Sequence, residues 1–204
     1  MMQTVRVPLA GNTLYVSGTV NGVDRVWTRE EGNWWSTTAD RAMDGVYRVA
    51  LSIIYVDGKA TTDSVTLYYG LQLITDRTQK DVTDRTNKGT YNISDLNRVG
   101  AAMAYLRDKL NDNGYYVDIS PKIDWRCIDV PTESGMALYL GCLGTLRGVI
   151  PLPDGTPETP KGMEKLTYVT ANNIEKILEA VDSMLAKSIS FLYYSGDIYS
   201  GEVI

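Results

Sequence analysis

The sequence of 204 residues contains no histidine, and this absence removes several kinds of functional site at once. Serine–histidine–aspartate and cysteine–histidine catalytic sites, histidine-ligated zinc sites and histidine-based pH switches all need an imidazole. Only two cysteines are present, Cys127 and Cys142, which is too few for a disulfide framework. We therefore expect two reduced, partly buried thiols.

Long apolar runs and clusters of basic residues are also missing. The apolar stretch from Met136 to Leu146 is shorter than the roughly 18 residues that a membrane-spanning helix needs, and Arg147 follows it. The net charge is −5, and no basic stripe is present that could bind a phosphate backbone. The first residues lack the charged and apolar regions of a secretory signal. We expect no membrane span and no nucleic-acid partner, and synthesis in a cytoplasm.

A single phenylalanine contrasts with fourteen tyrosines and four tryptophans, so most aromatic side chains carry a polar tip. Such side chains are common at interfaces, although tyrosine also packs into ordinary cores. Three of the tryptophans, Trp27, Trp34 and Trp35, lie in and around predicted strands. Two interpretations stay open. They form an aromatic platform for sugar rings, or one belongs to a core and the others cover a sheet edge.

Residues 1–70 have the pattern of short β-strands separated by turns every ~8–12 residues, as in an all-β sandwich. Asn21-Gly22 is a strong hairpin signal because a type I′ turn needs positive φ at both central residues, and Asp57-Gly58 separates two later strands. In those later strands, alternation with a period of two predicts one buried face. Its members are Tyr47, Val49, Leu51 and Ile53, followed by Val65, Leu67 and Tyr69.

The segment from Asp44 to Val49 resembles the tyrosine corner of immunoglobulin-like domains. In that motif a tyrosine hydroxyl bonds back to the preceding turn, and a cysteine often follows two residues later. Here Val49 takes the place of that cysteine. We predict an immunoglobulin-like or fibronectin-like sandwich over residues 1–70, with a less regular β-module as the alternative.

Residues 71–90 are polar and predict an exposed connector between two cores. The tetrapeptide Thr-Asp-Arg-Thr occurs in this connector twice, at 75–78 and 83–86, which indicates local capping and turn chemistry. Residues 91–204 predict a mostly α domain of three helices, with a stiff Pro-rich linker at 151–160 between the second and third. The predicted fold class is therefore α+β, with an N-terminal sandwich followed by a three-helix domain.

Helix boundaries follow from capping residues. The first helix is predicted from Asn92 to Asn113-Gly114, the second from Pro131-Thr132 to about Arg147, and the third after Thr167. The second helix also contains three glycines, which lower helix propensity, so we expect a neighbouring helix to approach them closely. They are Gly141, Gly144 and Gly148.

The tail, residues 191–204, is rich in tyrosine, serine and glycine. A Ser-Gly-acid-hydrophobe rhythm occurs in it twice, as SGDI at 195–198 and SGEV at 200–203. Two interpretations stay open for this segment. It forms a strand that closes the helical domain, or it is an attachment point for a neighbouring subunit.

A series of short motifs runs through residues 71–204. In chain order they are LITDRTQ (73–79), KGTYN (88–92), DLNRV (95–99), PKIDW (121–125), LTY (166–168) with AN (171–172), and YSGDIYSGEV (194–203). The series resembles a module of phage and prophage structural proteins from Gram-positive gut bacteria, which are described as minor structural, tail or baseplate-associated proteins. The resemblance brings no catalytic residues and does not extend to residues 1–70.

The resemblance implies a non-enzymatic component of the virion, made in the bacterial cytoplasm, that assembles with copies of itself and with other virion proteins. From the residues themselves we expect no cofactor and no metal. The alternative function is a module that binds bacterial surface carbohydrate through aromatic residues of the β-rich part. Candidate contacts with a partner or ligand are Trp27, Trp34, Trp35, Tyr193, Tyr194 and Tyr199.

Acidic residues provide two weaker candidates for chemistry. Asp197 and Glu202 could form the carboxylate pair of a glycosidase, but nothing in the sequence marks a cleft or a raised pKa. The second group is Asp76, Asp81 and Asp84, which lacks the ligand spacing and the glycine of an EF-hand loop. We therefore predict no catalytic and no metal-binding residue.

Overall fold

A computed structural model describes residues 2–42, 45–126 and 128–200, with side chains through Ser190 and backbone alone from 191 to 200. These residues form a mixed α+β fold with two antiparallel sheets and four α-helices. The chain divides into two compact units, and both are assembled from segments that are distant in sequence. The first unit is Met1–Gln72, Asn92–Ala101 and Lys122–Val130, and the second is Leu73–Tyr91, Ala102–Pro121 and Pro131–Ile204. The boundaries predicted at residues 70 and 90 stay predictions.

The described part of the first unit contains seven strands. They are β1 (Met2–Pro8), β2 (Thr13–Val20), β3 (Val23–Val26), β4 (Thr28–Arg29), β5 (Trp34–Asp40), β6 (Val46–Tyr55) and β7 (Ala60–Tyr68). One sheet has the order β1-β5-β4, and the other has the order β3-β2-β6-β7. Every pair of neighbouring strands is antiparallel.

The predicted turns join the predicted strands. Asn21 and Gly22, between β2 and β3, have φ values of 51° and 79°, as a type I′ hairpin turn requires. Gly58, in the turn between β6 and β7, has a φ of 80°. The side chain of Asp57 fixes that turn by accepting a hydrogen bond from the Lys59 N–H at 3.1 Å.

One apolar core lies in this unit and takes side chains from both sheets. The alternation predicted for β6 and β7 is confirmed, because the inward-facing residues of the two strands are buried. They are Tyr47, Val49, Leu51, Ile53, Val65 and Leu67, while Tyr69 is partly buried against the same core. Trp27 and Trp35 also belong to this core.

Tyr47 forms the contact that its position in the sequence predicted. Its side chain is 1% exposed, and its hydroxyl oxygen accepts a hydrogen bond from the Ala42 N–H at 2.9 Å. Its ring meets that of Tyr69 edge to face, with centroids 5.2 Å apart. Asp44, where the predicted corner begins, lies outside the described residues.

Two later segments complete the first unit. The helix α2 (Ile93–Asp112) contributes its first part, and residues 122–126 lie beside it. A Cβ on Gly100 would stand only 2.4 Å from the Lys122 carbonyl oxygen, so this close approach requires glycine. Arg126 then joins both sheets, since its guanidinium donates to the Pro8 carbonyl at 2.6 Å and contacts the Asp63 carboxylate at 2.6 Å.

The second unit contains the remainder of α2 and the helices α1 (Gln79–Thr83), α3 (Glu133–Val149) and α4 (Tyr168–Ser200). The predicted caps are confirmed, since Thr132 accepts from the Gly135 N–H and Thr167 from the Thr170 N–H, both at 3.1 Å. Along α2, Met103, Leu106 and Leu110 are buried. Buried apolar side chains from these helices include Leu106, Leu110, Leu143, Leu146, Ile174, Ile177, Leu178, Val181 and Leu185.

One prediction about the helices and one of the two interpretations of the tail were wrong. A Cβ on Gly141 or Gly148 would meet no atom within 4 Å, and one on Gly144 would meet only the Thr159 side chain at 3.8 Å. No neighbouring helix of the described chain therefore requires these glycines. Of the two interpretations left open for the tail, the strand is contradicted over residues 191–200, since α4 continues without a break to Ser200. Residues 201–204 lie outside the described range, and no described helix has the length and apolarity to cross a membrane.

Candidate functional site

A pocket of about 430 Å³ opens in the second unit beside the first turn of α4. This volume lies in the range of small-ligand and anchor-residue pockets. Its polar lining consists of Arg77, Gln79, Thr90 and Thr167, with Gly89. The rest of the lining, which is aromatic or aliphatic, is Val82, Tyr91, Leu166, Tyr168, Val169 and Ala171. We refer to these residues together as the Arg77 pocket.

The two Thr-Asp-Arg-Thr copies shape one wall of the pocket through capping. Thr78, the last residue of the first copy, caps α1 and forms a reciprocal capping box with Asp81. Thr86, the last residue of the second copy, caps a short 3₁₀ turn by accepting from the Gly89 N–H at 3.1 Å. A Cβ on Gly89 would stand 2.1 Å from the Asp81 carbonyl oxygen, so the two turns pack closely only with glycine there.

A buried ion pair lies in the wall of the pocket. The Arg77 guanidinium stands 2.8 Å from the Glu175 carboxylate, and the two side chains are 1% and 0% exposed. The second carboxylate oxygen of Glu175 accepts from the Ile74 N–H, and Arg77 donates to the Ile74 carbonyl at 2.7 Å. Arg77 was expected in an exposed connector; it is buried because α4 presents a carboxylate for it. Removing one partner of such a pair costs about 3–5 kcal/mol.

Asn172 holds the backbone of Arg77 at the same place. Its amide oxygen accepts from the Arg77 N–H at 3.0 Å, and its amide nitrogen donates to the Arg77 carbonyl at 2.9 Å. Asn97 holds Trp125 in the same way in the first unit, with distances of 2.6 and 2.9 Å. A third pair, Asn111 with Val117, has distances of 2.8 and 3.0 Å. We call these three pairs the asparagine clamps.

The aromatic side of the pocket is joined to α3. The guanidinium carbon of Arg77 lies 5.5 Å from the centre of the Tyr91 ring, a cation–π contact. The Tyr91 hydroxyl then bonds to that of Tyr139 on α3 at 2.7 Å. These contacts fix the ring that lines the pocket, so this wall is formed without a ligand.

The motifs that carry the phage resemblance meet at these contacts. The pieces LITDRTQ, KGTYN, LTY and AN supply nine of the eleven pocket-lining residues, and AN also supplies the clamp residue Asn172. The pieces DLNRV and PKIDW meet in the first unit through Asn97 and Trp125. Sequence reasoning missed both associations. The signal that could have found them is an asparagine on the apolar face of a predicted helix, where a polar side chain needs a buried partner.

The three candidate tryptophans do not form one platform. Trp27 and Trp35 are 6% and 5% exposed and pack in the sandwich core, whereas Trp34 is 37% exposed. Trp34 and Trp35 are consecutive in β5, so their side chains leave opposite faces of the sheet. Of the three, only Trp34 presents a ring surface to solvent.

Of the candidate tail tyrosines and the two cysteines, the structure describes only one side chain, that of Cys142. Tyr193, Tyr194 and Tyr199 lie on the backbone of α4, but their side chains fall outside the described residues. Cys127 is outside them as well. Cys142 is a free, half-buried thiol, and burial raises its pKa above the ordinary value.

The three connector aspartates have structural partners. A hydrogen bond from Lys88 lowers the pKa of Asp76, and hydrogen bonds from Thr78 lower the pKa of Asp81. Asp84 forms an ion pair with Lys80. No group of three or more metal-binding side chains occurs in the described part of the chain. Of the suspected carboxylate pair, Glu202 and the side chain of Asp197 lie outside it.

The Arg77 pocket therefore combines a preformed aromatic and aliphatic wall with a helix N-terminus. Such a pocket can receive an apolar side chain that has a hydrogen-bonding or charged neighbour. Comparison of the chain with protein-family models, with curated proteins and with solved structures found no match.

Proposed function

We propose that this chain is a non-enzymatic structural component of a phage virion, associated with the tail or baseplate. In this role it assembles with copies of itself and with other virion proteins. The observation that carries the proposal is the meeting of four motif pieces at the Arg77 pocket. The resemblance thus rests on residues that are close in space as well as ordered in sequence.

The proposal includes an immunoglobulin-like sandwich in the first unit. The order β1-β5-β4 corresponds to strands B, E and D of such a domain, and β3-β2-β6-β7 corresponds to C′, C, F and G. Tyr47 lies at the start of the strand that corresponds to F, where the tyrosine corner occurs. Arg126, which contacts Pro8 and Asp63, lies beside β1 and β7. The proposal also keeps the three-helix domain, formed by α2, α3 and α4.

A carbohydrate-binding module remains the alternative, and exposed Trp34 is the observation that favours it. A stacked sugar ring needs an accessible aromatic face, which Trp27 and Trp35 do not offer. The alternative predicts binding on a glycan array or to bacterial cell walls that Trp34→Ala abolishes. Binding that persists in Trp34→Ala would show that Trp34 does not contact the carbohydrate. If the wild-type chain binds no carbohydrate, the alternative function is excluded.

Assembly is tested by light scattering of the purified chain together with binding to tail proteins encoded by neighbouring genes. The proposal predicts a mass above the 22.6 kDa of one chain, or a stable complex with such a protein. A single-chain mass at every concentration, with no binding to those proteins, would contradict it.

A further inference from the structure

The function proposed above assigns no ligand to the Arg77 pocket and no contact to the second copy of the Ser-Gly-acid-hydrophobe rhythm. We propose that residues 201–204, with the sequence GEVI, dock into the Arg77 pocket of a second copy of the chain. Val203 fills the apolar part of the pocket, and the Glu202 carboxylate meets the first turn of α4. The inference rests on the proposed function, because it identifies the contact by which copies of the chain assemble.

The pocket offers apolar surface that docking would remove from water. Val82 is 38% exposed and Val169 is 48% exposed, and both line the pocket together with Tyr91 and Leu166. Burying exposed aliphatic and aromatic surface favours association, and a preformed pocket loses little entropy when an aliphatic side chain enters it. A valine or an isoleucine matches this wall in size and chemistry.

Charge complementarity selects an acidic neighbour for that side chain. The first turn of a long helix carries N–H groups and partial positive charge, and α4 has 33 residues. No acidic side chain lines the described pocket, and the Glu175 carboxylate in its wall is already paired with Arg77. A carboxylate directly before an aliphatic residue, as in Glu202-Val203, supplies both groups.

The length of α4 excludes docking of the tail into the pocket of its own chain. The helix runs without a break from Tyr168, at the pocket, to Ser200. A helix of this length spans about 50 Å, whereas four extended residues reach at most about 14 Å. The contact is therefore between copies and joins unlike surfaces. Such a head-to-tail contact closes into a ring or continues as a filament.

The experiment uses two full-length variants that each lose one half of the contact. The tail variant carries Glu202→Lys and Val203→Asp and keeps its pocket. The pocket variant carries Val82→Asp and Val169→Asp, at positions already partly exposed, and keeps its tail. Circular dichroism confirms that both are folded. Leu138→Asp, on an exposed apolar position of α3 outside the pocket, is the matched control.

Light scattering should give a wild-type mass above 22.6 kDa, an unchanged mass for the control, and 22.6 kDa for each variant alone. A 1:1 mixture of the two variants should form a two-chain species and nothing larger, because only one complementary contact remains. Assembly that survives both variants, or that Leu138→Asp abolishes, would overturn the docking while leaving assembly itself intact. A wild-type chain that is monomeric throughout would overturn the docking and self-assembly together.

Discussion

The strands and the irregular segments of this protein satisfy their backbone groups in different ways. In the first unit, β1 to β7 pair with one another along the sheets, whereas Trp125, outside any strand, is held by Asn97 of α2. In the second unit, residues 73–78 and 115–121 also lie outside any strand. Asn172 and Asn111, on helices, bond to both backbone groups of Arg77 and Val117 instead. A helix side chain thus replaces a neighbouring strand, because buried backbone groups must be paired by some donor or acceptor.

Charge is placed differently in the sandwich core and in the segments around the helices. The core that the two sheets share is apolar apart from groups such as the Tyr47 hydroxyl. The helices of both units take part in buried ion pairs, Asp95 with Arg98 in the first unit and Arg77 with Glu175 in the second. A buried ion pair specifies one arrangement of its partners, but it makes the unit sensitive to the loss of either charge.

The largest effect on stability is expected at the ion pair of Arg77 with Glu175. Glu175→Leu leaves the Arg77 guanidinium buried without its carboxylate, so the free energy of unfolding should fall by about 3–5 kcal/mol. Urea denaturation followed by circular dichroism measures the loss. The double variant Arg77→Met with Glu175→Leu should recover part of it, because no charge is then left unpaired.

The exposed ion pair of Lys80 with Asp84 is the control for this substitution. Lys80→Ala should lower the free energy of unfolding by at most about 1 kcal/mol, since exposed pairs contribute little. Equal effects at the buried and the exposed pair would contradict the claim that burial decides how much an ion pair contributes to stability.

The stability lost when an asparagine clamp is removed should depend on how deeply that asparagine is buried. Asn97 is 2% exposed, so Asn97→Ala leaves the N–H and carbonyl of Trp125 unpaired and should cost about 1–3 kcal/mol for each group. Asn111 is exposed, and water can replace its amide, so Asn111→Ala should cost clearly less. Urea denaturation of the two variants side by side tests the comparison. A larger loss for Asn111→Ala would show that the clamps do not act by satisfying buried backbone groups.

The tyrosine corner provides the corresponding test in the first unit. Tyr47→Phe keeps the ring in the core and removes only the acceptor of the Ala42 N–H, so we expect a loss of about 1–3 kcal/mol. Hydrogen exchange should show faster exchange of the Ala42 amide. An unchanged exchange rate would mean that the hydroxyl does not protect this group.

The smallest effect on stability is expected at Asp81, and it should depend on pH. Asp81 has a lowered pKa in the folded chain because Thr78 donates to it, so its contribution to stability is present above the unfolded pKa of about 3.8. That contribution is lost as the pH falls through the folded pKa. Asp81→Asn should therefore lower the urea midpoint at pH 7 and change it less near pH 3. Asp154→Asn in the Pro-rich linker is the matched control, and a difference that does not shrink in acid would contradict the capping role.

Local signals in the sequence predicted many of the elements. The Asn21-Gly22 turn, the alternation in β6 and the caps at Thr132 and Thr167 each depend on a few consecutive residues. Tyr47 could also be placed, because its motif ties a core ring to a turn only five residues away. These features need no knowledge of distant segments.

The candidate site depends on long-range contacts and was not predicted as a site. Arg77 and Asn172 are 95 residues apart, and nothing near Arg77 indicates that a carboxylate on α4 will bury it. The same holds for Asn97 and Trp125, which are 28 residues apart. Composition alone could not tell which tryptophans are exposed, since a tryptophan such as Trp35 fits a core as well as a surface.

The central claim is that the chain is a structural part of a virion, and the most direct measurement is its presence in purified particles. Particles induced from the bacterial host would be banded by density and analysed by peptide mass spectrometry, with gold-labelled antibody against the chain to locate it. The account predicts peptides of the chain in amounts comparable to other tail proteins, and gold at the tail or baseplate. Intact particles that contain no peptide of this chain, from cells that express it, would contradict the account.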